Sequence, residues 1–129
     1  MPHSFSLRVY YEDTDAAGVV YYANYLRFME RARTEYLEEA GASVSGLHNQ
    51  GMFLVVTHVD ITYRRPARLG ETLNVTTEVE ETKAVKCTLR QKVLRGTELL
   101  VDARLTFACI DADGKPRRLP PFFNPQSAS

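Results

Sequence analysis

Charge of one sign, long apolar runs and paired cysteines are all missing from this chain of 129 residues. Lys plus Arg and Asp plus Glu both number 16, so the net charge is zero. No global field gathers nucleic acid or an anionic membrane, and any phosphate-binding patch has to be local. No apolar run approaches the roughly 20 residues needed to span a bilayer. The opening MPHSFSLRVYYEDTD lacks the charged-then-apolar order of a secretory signal. Cys87 and Cys109 lie inside strand-like runs, without metal-ligand or redox spacing. They read as small buried hydrophobes of a reduced, cytoplasmic protein. No cluster resembles a metal site, and nothing implies a cofactor. Repeats and domain linkers are absent too, so residues 1–129 read as one domain with a Pro-rich tail from about position 116.

What is present is a globular balance of 44% hydrophobic and 25% charged residues, enough to bury a core. Phe5, Leu7, Val9 and Tyr11 alternate with polar neighbours and predict a half-buried strand. An acidic turn follows. Tyr25, Phe28, Met29, Ala32, Tyr36 and Ala40 then recur at helical spacing, with Leu26 and Leu37 beside the stripe. Asn24 is the best N-cap by residue type, and Gly41 stands where glycine ends helices. The stretch from Gly41 to Gly51 reads as a loop.

Four strand patterns come next. The first runs from Met52 to Arg65, with Phe53, Val55, Thr57, Val59, Ile61 and Tyr63 on one face, and closes at Pro66. Leu73 to Val79, Val85 to Val93 and Leu99 to Cys109 follow, with turns near Glu81–Lys83 and at Gly96. The tail RRLPPFFNPQSAS is too Pro-rich to extend a sheet. One long helix with a broad apolar face therefore lies against a five-stranded antiparallel sheet, an α+β arrangement. The helix covers one face only, so sheet edges and a flank remain for another copy of the chain.

The stretch able to carry chemistry runs from Tyr10 to Gly41. Asp13 and Asp15 stand in the turn, small residues Ala16, Ala17 and Gly18 follow, and the helix N-terminus comes next. A helix start offers unpaired N–H groups and the positive end of the macrodipole. A carboxylate beside it can combine a base with a pocket for an oxyanion. Turn-and-cap chemistry alone explains the same residues. Glu12 faces solvent, and His48 and His58 lack partners at useful spacing. Ser43, Ser45 and Ser127 lack a nucleophile-elbow context. Arg64, Arg65, Arg68, Lys83, Lys86 and Arg90 are the candidates for phosphate contacts, and a solvated sheet face explains them as well.

The string D-x-D-x-x-G-x-V-x-x-x-x-Y, from Asp13 to Tyr25, resembles the signature of the 4-hydroxybenzoyl-CoA thioesterase-type hotdog enzymes. Together with ERARTEYL and with RRPARLGE from Arg64 to Glu71, it is similar to their Tol–Pal-associated acyl-CoA thioesterase branch. The resemblance implies the hotdog fold, a dimer-of-dimers homotetramer and hydrolysis of acyl-CoA to free acid and CoA. It assigns the reacting carboxylate to Asp15 and carbonyl polarisation to the backbone N–H of Tyr22. Gly18 and Val19 would then approach the acyl group, and Arg65, Arg68, Lys83 and Lys86 would meet the CoA phosphates. Asp13 is left to hold the turn. Some members of that branch carry His at the position of Tyr22, a difference to which a backbone donor is indifferent.

Two other readings share the fold. A hotdog dehydratase would need a His near the helix start, and none is there. A non-catalytic module that binds acyl-CoA or acyl carrier protein would need neither Asp15 nor the donor.

Overall fold

The computed structural model describes residues 2–123. Its order is β1 (His3–Arg8), α1 (Asn24–Glu39), α2 (Val44–Asn49), β2 (Phe53–Tyr63), β3 (Thr72–Thr82), β4 (Lys86–Arg95) and β5 (Glu98–Ile110). The five strands form one antiparallel sheet in the order β1-β3-β4-β5-β2. Short hairpins make β3, β4 and β5 a meander, whereas β1 and β2 arrive from elsewhere to become its edges.

The helix stripe is the organising element. Tyr25, Phe28, Met29 and Ala32 are buried, with Phe28 at 0% exposure, and Tyr36 is half-buried beside them. They meet Val9 from the chain after β1, Leu73 and Val75 from β3, Val93 from β4, and Val101 and Ala103 from β5. Burying each large apolar side chain contributes about 1.5–3 kcal/mol, which is why a helix of this pattern needs a sheet under it. A second cluster under the C-terminal half of α1 joins Leu37 to Leu47, Leu89, Leu105 and Phe107.

Two polar residues sit inside this core, and both are satisfied. The Gln91 amide donates to the Met29 carbonyl at 2.9 Å and to Thr77 Oγ1 at 3.0 Å, while its oxygen accepts from Arg33 at 3.1 Å. Two of these bonds tie helix to sheet and the third ties β4 to β3, so the Gln91 amide is paired at both ends.

Several expectations need correction. β1 ends at Arg8, and the chain turns through a 3-10 segment at Tyr11–Asp13, so Tyr11 is 81% exposed instead of facing the core. Asn24 is the first helical residue and not the cap; Ala23 is the cap, without a side-chain bond. Ala40 is exposed at the helix end. The supposed loop after Gly41 contains α2, capped by Ser43, whose hydroxyl accepts from the Gly46 N–H at 3.0 Å. In β2 a bulge falls at Thr57, between the pairs Val56–Phe107 and His58–Thr106. An extra residue reverses the alternation. Leu54 therefore packs with Val59, while Val55 points outward. The tail does not extend the sheet, but it is not idle. Leu119 and Phe123 are buried in the second cluster, and the Phe123 ring stands 5.1 Å from that of Phe107. Ser127 and the end of the tail lie outside the described residues.

Candidate active site

The acidic turn is a small hairpin held from several sides. Thr14 pairs with Val20, and Val19 pairs with Arg68. Asp15 N–H donates to the Val19 carbonyl at 2.9 Å, and Gly18 N–H donates back to the Asp15 carbonyl at 3.0 Å. Gly18 has φ +78, the left-handed conformation that this turn demands. A Cβ there would meet nothing of this chain within 4 Å, so within the chain it is the backbone shape that calls for glycine.

The two carboxylates, two positions apart, have different surroundings. Asp13 is 5% exposed. Its Oδ2 accepts from the Tyr10 N–H at 2.8 Å and its Oδ1 from the Asn24 amide at 2.7 Å. Those bonds fasten the chain after β1 to the first residue of α1, the turn-holding part expected of it. Asp15 is exposed, and only its Oδ1 is engaged, by the Ala17 N–H at 2.9 Å. Its other oxygen has no partner among the described residues.

The helix start is open. Asn24 N–H reaches the Tyr21 carbonyl at 2.8 Å and Leu26 N–H that of Ala23 at 3.2 Å. The N–H groups of Tyr22 and Ala23 have no acceptor among the described residues. Beside them lies a pocket of about 230 Å³ lined by Val20, Tyr22, Tyr25, Tyr63, Arg64, Arg65 and Pro66. Tyrosines build its walls. Tyr63 stands edge-on to Tyr22 at 6.2 Å and tilted to Tyr25 at 5.6 Å, and its hydroxyl donates to the Tyr22 carbonyl at 3.2 Å. Tyr25 accepts the Ala67 N–H at 3.0 Å. Burial pushes its phenol up, against the smaller lowering from that bond, so it stays protonated at neutral pH.

The basic candidates divide between the two ends of the sheet. Arg64 and Arg65 line the pocket, with Arg65 Nε 3.2 Å from Glu98, and Arg68 lies against the turn through its backbone pairing with Val19. Lys83 sits in the β3–β4 connection and Lys86 opens β4, at the far end of β3, whose 11 residues at about 3.4 Å each separate them from the turn by roughly 35 Å. One chain does not bring them to Asp15. Arg90 is engaged with Asp102 at 2.9 Å across the β4–β5 ladder. His58 is exposed on β2, and His48 lies on α2, its ring 4.7 Å from that of Phe53.

Sequence reasoning missed Tyr25, Tyr63 and Val20 as pocket walls. Tyr63 sits immediately before the RRP that ends β2, which was the available signal.

A helix across a five-stranded antiparallel sheet, with an acidic turn at an open helix start, defines a hotdog thioesterase fold. The chain belongs to the thioesterase-like superfamily, whose family model matches residues 9–126. It is 46% identical to the acyl-CoA thioesterase YbgC of Haemophilus influenzae over 109 residues, 84% of this chain and 80% of that one. To the acyl-CoA thioester hydrolase YbgC of an Escherichia coli strain it is 40% identical, over 88% and 87% of the two chains. A probable thioesterase from Bartonella henselae superposes with a TM-score of 0.89 at 39% identity, over 93% of this chain and 100% of that one.

Proposed function

We propose that the protein hydrolyses acyl-CoA thioesters, with Asp15 as the reacting carboxylate and the Tyr22 N–H as the carbonyl donor. The observation that carries this is the pairing of one free carboxylate oxygen with an uncapped helix start, in a chain similar over most of its length to acyl-CoA thioesterases. Asp15 activates water, or attacks the carbonyl itself; either way negative charge develops on the carbonyl oxygen. The Tyr22 N–H donates to that oxygen and stabilises its charge, aided by the helix dipole. Where Asp15 acts as base, the proton it takes from water passes to the CoA thiolate as the C–S bond breaks, and the acid and CoA leave. Where it attacks, C–S cleavage releases CoA and leaves an anhydride on Asp15, which water hydrolyses to the acid and the free carboxylate. Arg64, Arg65 and Arg68 supply phosphate contacts on the same edge of the molecule.

A second copy of the chain completes the site. Asp15 stands outside the pocket wall made by one chain, β2 is an open edge with Val55 and Val56 exposed, and Lys83 and Lys86 reach a site only from another subunit. A dimer of dimers brings these parts together. Sedimentation should show oligomers at micromolar concentration, and an active monomer would contradict this.

The direct test is thiol release from a panel of acyl-CoAs. Asp15→Asn should lower turnover roughly 100-fold or more with little change in binding. Tyr22→Phe should be mild, because the donor is backbone. Full turnover by a folded Asp15→Asn protein would remove the assignment.

A further inference from the structure

We propose that Arg95 is a positioning residue for the Asp15 carboxylate, acting through Glu71 and the strap of residues 66–69. The proposal rests on the reading of Asp15 given above and adds to it the group that sets the carboxylate's place.

The turn holds its position by leaning on the strap. Val20 N–H donates to the Ala67 carbonyl at 2.9 Å, Leu69 N–H donates to the Gly18 carbonyl at 3.2 Å, and Val19 pairs with Arg68. Asp15 itself is bonded through its N–H to Val19. The strap also touches the other half of the site, since its Ala67 N–H donates to Tyr25 in the first turn of α1. Any displacement of residues 66–69 therefore changes where Asp15 stands relative to the helix start.

Arg95, at the end of β4, fixes the strap from the sheet side. Its Nη1 donates to both Glu71 oxygens, at 2.8 and 3.0 Å, and to the Pro66 carbonyl at 3.3 Å. Its Nε and Nη2 donate to Glu98 Oε1 at 3.1 and 2.6 Å. Glu71 Oε1 also accepts the Arg68 N–H at 2.6 Å, so the guanidinium grips the strap at Pro66 directly and at Arg68 through one carboxylate. Five polar contacts from one planar group span the end of β4, the start of β5 and the strap. A lysine ammonium is a point charge and cannot reproduce that fork. None of these contacts is with Asp15, so Arg95 acts at a distance through a chain of hydrogen bonds. A misplacement of the order of 1 Å at a reacting group can cost about 100-fold in rate, which gives so remote a residue its leverage.

The test is a double-mutant cycle on acyl-CoA turnover, measured well below each variant's melting midpoint. Arg95→Met should lower kcat about tenfold or more with KM within about twofold. Arg95→Lys should restore only part of the loss. In an Asp15→Asn background, Arg95→Met should have no further effect, because the group it positions is gone. Glu71→Gln, which leaves the guanidinium in place, should lower kcat in the same sense and serves if Arg95→Met fails to fold. An unchanged kcat in a folded Arg95→Met protein, or the same fractional loss with and without Asp15, would overturn the positioning role while leaving Asp15 as the reacting group. A rise in KM at constant kcat would overturn it as well, placing Arg95 in substrate binding. Full turnover by Asp15→Asn alone would instead remove the reading beneath it.

Discussion

The two ends of α1 are finished in opposite ways. At the C-terminal end Gly41 takes φ +88, its N–H donates to the Glu38 carbonyl at 3.0 Å, and Ala42 N–H donates to Leu37 at 2.9 Å. That is a Schellman closure, which satisfies the last carbonyls. At the N-terminal end Ala23 contributes no side-chain cap. Asn24, the one residue there suited to capping, turns its amide to Asp13 instead. Stability is thus taken up at one end and left open at the other, and the open end is where the chemistry is proposed. The short helix α2 shows that the chain caps a start where nothing else is required of it, through Ser43.

The largest expected effect lies between the two ends. Phe28→Ala should destabilise the fold by about 3–5 kcal/mol, read by chemical denaturation, because Phe28 is fully buried against the sheet. A loss below about 1 kcal/mol would mean that the stripe does not hold the helix. Breaking the N-terminal hold comes next. Asp13→Ala leaves the Tyr10 N–H and the Asn24 amide without their acceptor and should cost about 1–3 kcal/mol. Turnover should fall with it, since the turn loses its anchor. Gly41→Ala, at the closed end, should cost about 1–2 kcal/mol through the left-handed φ alone and leave kcat unchanged. Equal loss of activity from these two variants would erase the distinction between the ends.

The smallest effect falls on neither end. The hydrogen bond from Arg90 holds the Asp102 carboxyl below the usual carboxylate range. Its folded pKa lies under the unfolded value near 4, so the stability it contributes is present above that value and lost as pH falls through the folded one. Asp102→Asn should flatten the acid limb of the stability curve by well under about 1 kcal/mol, with kcat untouched.

The frame of this fold was open to reading because period-two and helical spacings survive in single residues. Leu73, Val75, Thr77, Cys87, Leu89, Gln91 and Val93 all face inward as their alternation requires. The bulge at Thr57 was hidden, since an extra residue leaves no mark in composition. α2 was hidden by Ser45 and Gly46, poor helix formers made helical by a Ser43 cap and by burial of Leu47. Asp13 and Asp15 were told apart by family likeness; their burial and partners agree with the turn-holding part given to Asp13. Tyr63 carried a signal in the RRP that follows it, but Arg95 and Glu71 could not be found that way. Their importance lies in which strands end side by side, and no local pattern records that.

The strand order also has a consequence in time. β3, β4 and β5 can zip locally, but β1 must find β3 across the whole interval from His3 to Thr77. Such distant pairing is slow to form, because a long loop has to close before the contact is made. Asp15 hangs on the chain that leaves β1, so it is synthesised early and set in place late. In refolding, β-sheet signal should therefore recover before turnover does; recovery of both together would show that the edge strand docks with the meander.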